Sequence, residues 1–425
     1  MTAKIDSGKV SQVLCHLTTL YEFKNIFGTA HNEATRQDGG VTLLILKYEN
    51  GTATFRKSSD NSEALFAIVS LQIDGKFFDL GCNLRPVLRN EKDLLVVNQF
   101  QGLSNLSLKN LDLRSYGELL SRLPFDTLTE WPDKLPVGFE PAKLLELGKN
   151  PGLGIRTLHA EGITGKGIGL AIIDQPLLRG HLEYAAQLDL YDDTAVPNIE
   201  PQMHSAAVAS LAVGKTLGVA PAARLYFFAT PTWKMDNLFY AEALEKVIKI
   251  NASLPKQKHI RVVSLSFGGF RKAKNYPRWE QVLKKAEAMG ILVTTCDQEA
   301  FLPYLNLELD FTKDPDVEDS WRPTSWTSKA KPGAERLYAP GGNRTIASFR
   351  GSDTYQLERT GGLSWTAPYF AGLAALVFQV RPELTVDQVK KLIRKTASQK
   401  SFGKMVNPRK LIAEARKLPL NNTDY

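Results

Sequence analysis

The stretch GGLSWTAPYFAG, Gly361 to Gly372, constrains what this chain can fold into more than any other. A Gly-Gly break is followed by a run of small and apolar residues, which reads as a helix buried among its neighbours. Ser364 stands at its start. The first N–H groups of a helix have no intrahelical partner and can face developing negative charge. Pro368 is expected in the opening turn, where a missing donor costs least. Ala371, Gly372, Ala374 and Ala375 are expected to let the helix press close to a neighbouring sheet. Alone, such a serine is a solvated or capping group. As a nucleophile it needs a base, and the base needs a group that orients it.

Both residue types lie upstream. Ile168 to Ile173 is a short apolar run of buried-strand type that ends at Asp174. The carboxylate is therefore placed at the carboxyl end of a strand, where open α/β sheets build their sites. MHSAAVASLAVG follows, with His204 opening a small-residue helical run. RVVSLSFGG then reads as a strand running into Gly268 and Gly269. The chain order is Asp174, His204, Ser364.

In this order and in four sequence blocks the chain resembles the subtilisin-like serine peptidases. Gly362-Leu363-Ser364-Trp365-Thr366-Ala367-Pro368 is similar to the family's Gly-Thr-Ser-x-Ala-x-Pro, with Leu for Thr and the Ala shifted. His204-Ser205-Ala206-Ala207-Val208-Ala209 keeps the His, Val and Ala of the family's histidine motif. Ile172-Ile173-Asp174 resembles the aspartate motif, and Gly218 to Ala229 resembles the strand after the histidine helix. The resemblance covers roughly Gly152 to Leu418. It implies an α/β fold with a mostly parallel sheet flanked by helices, and peptide-bond hydrolysis through an acyl-enzyme. Ser364 would attack the carbonyl. His204 would take its proton and return it to the leaving amine, and Asp174 would hold the imidazole. Ser266, Phe267 and Gly268 match the segment that pairs with substrate and walls the pocket before the cleaved bond, with Phe267 making that wall bulky.

The resemblance also implies an oxyanion hole, and there the sequence departs. Thr295-Cys296-Asp297-Gln298 stands where the family has Ala-Ala-Gly-Asn, which puts Gln298 in the donor position. Gln carries the same amide on a longer stem. A shift of one residue would instead put Asp297 against the oxyanion. Each residue also has a plainer role open to it. Asp174 could cap a turn, His181 reads as a structural histidine, and Cys296 reads as a small buried hydrophobe. For the whole set the rival is a catalytically weak pseudo-protease that binds peptides or a partner.

With 425 residues the chain has room for two or three domains. Residues 1–115 read as an N-terminal α+β domain, with strands at VTLLILKY, Ala67 to Asp74 and LLVVNQF. Residues 116–150 read as a Pro-rich linker or arm, and 151–425 as the peptidase domain. A regulatory role is expected of residues 1–150, through a protein partner or as a pro-segment. The cysteines Cys15, Cys82 and Cys296 are too widely spaced for a disulfide framework or a metal motif. No metal or other cofactor is expected, and no stretch reads as the ~20 apolar residues of a membrane span. The N-terminus lacks a secretory apolar core, which implies a cytoplasmic setting. The net charge of +8 comes almost wholly from residues 381–425, at net +7. Without interleaved aromatics this basic face argues against nucleic acid and for solvated helices. The acidic stretch from Glu308 to Asp319 reads as a solvated or substrate-facing loop.

Overall fold

The computed structural model describes residues 102–419 except 269–270, 272, 298–300, 325–326 and 328–335. Before Gly102 it describes seven strands and residues 88, 90, 91 and 94. The chain divides into two compact units, Met1–Phe139 and Glu140–Tyr425. This boundary falls inside the segment read as a linker.

In the first unit, Thr2–Asp6 pairs antiparallel with Lys9–Leu14. Asn32–Asp38, Val41–Tyr48, Gly51–Arg56, Ala67–Ile73 and Lys76–Phe78 form an antiparallel meander. Val41–Tyr48 and Ala67–Ile73 are strands as their alternation predicts. LLVVNQF lies mostly outside the described residues. Farther on, Phe125, Trp131 and Phe139 stack edge to face around ring distances of 5.2 and 5.4 Å, a favoured aromatic geometry.

The second unit is built on five parallel strands. Their order is Leu188–Asp192, Arg224–Ala229, Gly169–Asp174, Ile260–Leu265 and Leu292–Thr295. Alternation along the central strand explains why it reads as an unbroken apolar run. Leu170 and Ile172 enter one core with the helices Met203–Val213 and Gly362–Val380. Ala171 and Ile173 enter a second core with the helices Asn237–Ser253 and Tyr276–Ala288. A parallel strand covered on both faces has no polar face to show. A mixed sheet adds Trp321–Pro323, Tyr304–Leu309, Leu337–Gly342, Gly403–Met405 and Ser398–Lys400 in that order.

Gly362–Val380 is long and apolar enough to cross a membrane, which corrects the expectation that no stretch approaches such a span. It is instead the core helix of this unit, with Trp365 through Phe378 all buried. The close approach at Gly372 is made to Val219, whose Cβ would lie 2.4 Å from an added Cβ, and not to a sheet strand. At the C-terminal end, Thr385 and Gln388 form the capping box their spacing predicts.

The acidic stretch is not a loose loop. Glu308 lies in the strand Tyr304–Leu309 and faces Arg322 across an antiparallel pair. Asp316 accepts from Gly154 N at 3.0 Å, while Glu318 and Asp319 both pair with Lys400. Glu318 and Asp319 stitch the stretch to the C-terminal hairpin. Several C-terminal cations are engaged likewise, Lys390 with Glu287 and Arg416 with Glu161.

Candidate active site

Asp174 ends the central strand of the parallel sheet and is 2% exposed. Its Oδ1 accepts from Gln175 N and from His204 Nδ1, both at 2.8 Å. A carboxylate can only accept, so the His204 proton sits on Nδ1 and Nε2 is left as an acceptor. His204 is the second residue of Met203–Val213. Ser205 Oγ donates to Pro176 O at 2.7 Å and so ties the start of this helix to the chain just past Asp174. That tie brings the imidazole over the carboxylate.

Burial pushes the His204 imidazolium down, while the charge of Asp174 and its hydrogen bond push it up. The second effect wins, and His204 stands above the ordinary histidine value of 6.5. The Trp365 ring, 4% exposed, lies 5.2 Å from the imidazole at a tilt of 55°. His181, by contrast, is fully buried. Its Nε2 bonds Thr354 O at 2.9 Å and its Nδ1 accepts from Glu183 N at 3.2 Å, which makes it a satisfied core histidine.

Ser364 is the third residue of its helix, so its N–H has no acceptor within the helix. Pro368 lies a full turn past Ser364, deeper than the opening turn the sequence implied. A proline there removes the bond that residue 368 would give to Ser364 O. Ser266 Oγ takes up that acceptor at 2.7 Å. In return Ser364 Oγ donates to Ser266 O at 3.3 Å. Among the described residues no hydrogen bond joins Ser364 to His204. The structure thus joins Asp174 with His204 and Ser266 with Ser364, as two pairs.

The two glycines before Ser364 are required for different reasons. Gly362 has φ of +59°, in the left-handed region that other residues avoid. At Gly361 a Cβ would lie 1.8 Å from the Trp365 ring and 1.9 Å from Gly341 O. Gly361→Ala is therefore expected to destabilise the unit by about 3 kcal/mol and to lower activity with it. Urea unfolding followed alongside activity checks this; an unchanged midpoint would contradict the packing described.

Phe267 packs its ring on Tyr240 at 5.4 Å, against the second core, while Gly268 lies three residues past the end of Ile260–Leu265. Gln298 lies outside the described residues. Cys296 lies against the Ser364 and Tyr304 hydroxyls, and burial pushes its thiol up to about 12. Tyr304 OH donates to Thr295 O at 3.1 Å and Leu363 O at 3.4 Å, bracing the serine helix against the strand end. Tyr304 and Trp365 escaped the sequence reading as neighbours of the site. Trp365 carried a signal in adjoining Ser364, but nothing in the sequence pointed to Tyr304. A cavity of about 560 Å³ lies elsewhere, lined by Glu161, Asp316, Glu318, Arg409, Lys410 and Arg416 among others, and by none of these residues.

Residues 165–296 match the model of the Subtilase family, Peptidase S8. The match includes Asp174, His204 and Ser266 to Gly268; Ser364 lies beyond it. Among solved structures, the prenylagaramide maturation protease PagA is similar at 17% identity, covering 62% of this chain and 98% of that one, with a TM-score of 0.45. The PatG macrocyclase domain gives 16%, 62%, 94% and 0.46, and the protease domain of PatA 18%, 61%, 99% and 0.45. No curated protein matches the chain. The matched segment holds Asp174 at the carboxyl end of a parallel strand and His204 on the helix that follows, and over these residues the chain is similar to the Subtilase family.

Proposed function

We propose that the protein is a serine endopeptidase that cleaves protein or peptide substrates through Asp174, His204 and Ser364. The observation that carries this reading is the 2.8 Å bond from His204 Nδ1 to the buried Asp174, which leaves Nε2 free to act as a base. In the reacting complex the Ser364 hydroxyl leaves the Ser266 carbonyl and donates to that nitrogen; such bonds tighten when substrate binds. The Ser364 N–H supplies one oxyanion donor, and Gln298 is our candidate for the second. Substrate backbone lies along Ser266 to Gly268 as an added strand. Residues 1–150 act as the regulatory part, through a protein partner or as a removable segment. A reducing, cytoplasmic setting belongs to the same proposal.

One observation favours the rival, a binding protein with a silent cleft: Ser364 Oγ is bonded to Ser266 O and not to His204. A fluorophosphonate separates the two readings, since it reacts only with an activated serine. Wild type is expected to label at Ser364 and Ser364→Ala not at all. Failure to label both the full chain and a chain cleaved between the two units would remove the peptidase reading.

A further inference from the structure

A catalytic histidine is charged only in passing. When Ser364 attacks, its hydroxyl proton moves to His204 Nε2 and the ring becomes an imidazolium. When the amine departs, the same proton goes to its nitrogen. Whatever steadies that cation lowers the barrier to both transfers.

The aromatic neighbour of this cation is Trp365, with ring centroids 5.2 Å apart and a tilt of 55°. An indole attracts a cation lying within about 6 Å over its face, more strongly than the smaller aromatic rings do. The N–H edge is not what meets the imidazole. Nε1 is buried and finds no acceptor among the described residues, although His204 Nε2 is an open one. The pyrrole side is shut in by Gly361, where an added Cβ would lie 1.8 Å from Trp365 Cδ1 and 2.3 Å from Cγ. The Trp365 N–H bonds Gly361 O at 3.3 Å, so the buried indole is held at both backbone and ring. Asp174, at the end of Gly169–Asp174, is the charged group that faces His204. Tyr240 of Asn237–Ser253 and Cys296, just past Leu292–Thr295, also respond to the Asp174 charge, and burial holds both neutral.

We propose that Trp365 is a positioning residue that stabilises the His204 imidazolium through the face of its indole, in addition to the bond with Asp174. The proposal rests on the peptidase reading above, which supplies the proton to be carried.

The first readout needs no turnover. The chain has six histidines, and in full-length protein labelled with carbon-13 histidine the His204 ring signal is the one lost in His204→Ala. Trp365→Leu removes the π face and is expected to lower the His204 midpoint by roughly half a pH unit to one and a half. Trp365→Phe should lower it less. Should the leucine variant fail to fold, ring-fluorinated tryptophan decides, since it keeps the shape and weakens the face. It should lower the midpoint in wild type and leave it in place in Trp365→Phe. Lost packing alone would admit water and raise a histidine, so an unmoved or raised midpoint overturns the proposal.

The second readout is the rate of fluorophosphonate inactivation against pH. Its acid limb is expected to move with the ring signal, and its plateau to fall about two- to thirtyfold in Trp365→Leu, with Trp365→Phe recovering most of the loss. A plateau that holds while the midpoint moves denies Trp365 a part in the reaction. Labelling with no shift in either readout leaves the peptidase reading standing alone, and absence of labelling removes both.

Discussion

Replacing His204 by alanine is expected to lower kcat by about a millionfold, the loss known for the corresponding histidine of subtilisin. Without the imidazole nothing takes the Ser364 proton, and the alcohol is a weak nucleophile at neutral pH. The fall should appear in kcat and kcat/KM alike, because proton transfer belongs to the transition state and not to substrate binding. Folding should hold, since the His204 side chain is 23% exposed and Ser205 keeps the helix start tied to Pro176. Single-turnover acylation with an activated ester, followed beside circular dichroism, checks both parts. A loss below about a hundredfold in a folded variant would mean that His204 is not the base.

Asp174→Asn is expected to cost about ten thousandfold in kcat, because an amide can donate to Nδ1 and so favours the wrong tautomer. Its effect on the pH profile has a definite sign. In wild type the Asp174 charge outweighs burial and holds His204 above 6.5. The base form is thus lost as pH falls through that raised value, and the acid limb of kcat/KM should have its midpoint above 6.5. Asparagine removes the charge and leaves burial, which pushes histidine down. The limb should then move below 6.5 while the plateau drops. The pairing also bears on stability. A histidine raised in the folded state adds stability that is fully present below about 6.5 and fades as pH climbs through the folded value. An acid limb that stays in place in Asp174→Asn would show that the carboxylate does not govern His204.

Much of the architecture was legible because burial on both faces writes itself into sequence. Ile168 to Ile173 reads as a strand since Leu170, Ile172 and Ala171, Ile173 serve two separate cores. The placement of Asp174 followed from where such a run stops. The serine helix was legible from its small residues, although Pro368 lies deeper than expected and serves a different end. It frees Ser364 O for the Ser266 hydroxyl, a bond between residues far apart in sequence that no local pattern encodes. Tyr304 was opaque for the same reason, because strand-end packing brings it beside the start of the serine helix, whereas Cys296 reads from the sequence as a small buried residue next to the expected oxyanion hole. The acidic stretch was legible in part: Asp314 and Asp319 are exposed as read, whereas the pairing of Glu318 and Asp319 with Lys400 joins residues far apart in sequence that no local pattern encodes.

The division of the site between an early segment and a late helix has a consequence for synthesis. The ribosome releases the parallel strands bearing Asp174, and the helix bearing His204, well before Gly362–Val380. Until that helix emerges, the apolar face of the sheet is only partly covered, by Met203–Val213, because Gly362–Val380 supplies much of the larger core. Filling the gap and bringing in Ser364 are one event. On the proposed peptidase reading, a nascent or prematurely ended chain would hold Asp174 and His204 without Ser364, and competence would arrive only with the completed core.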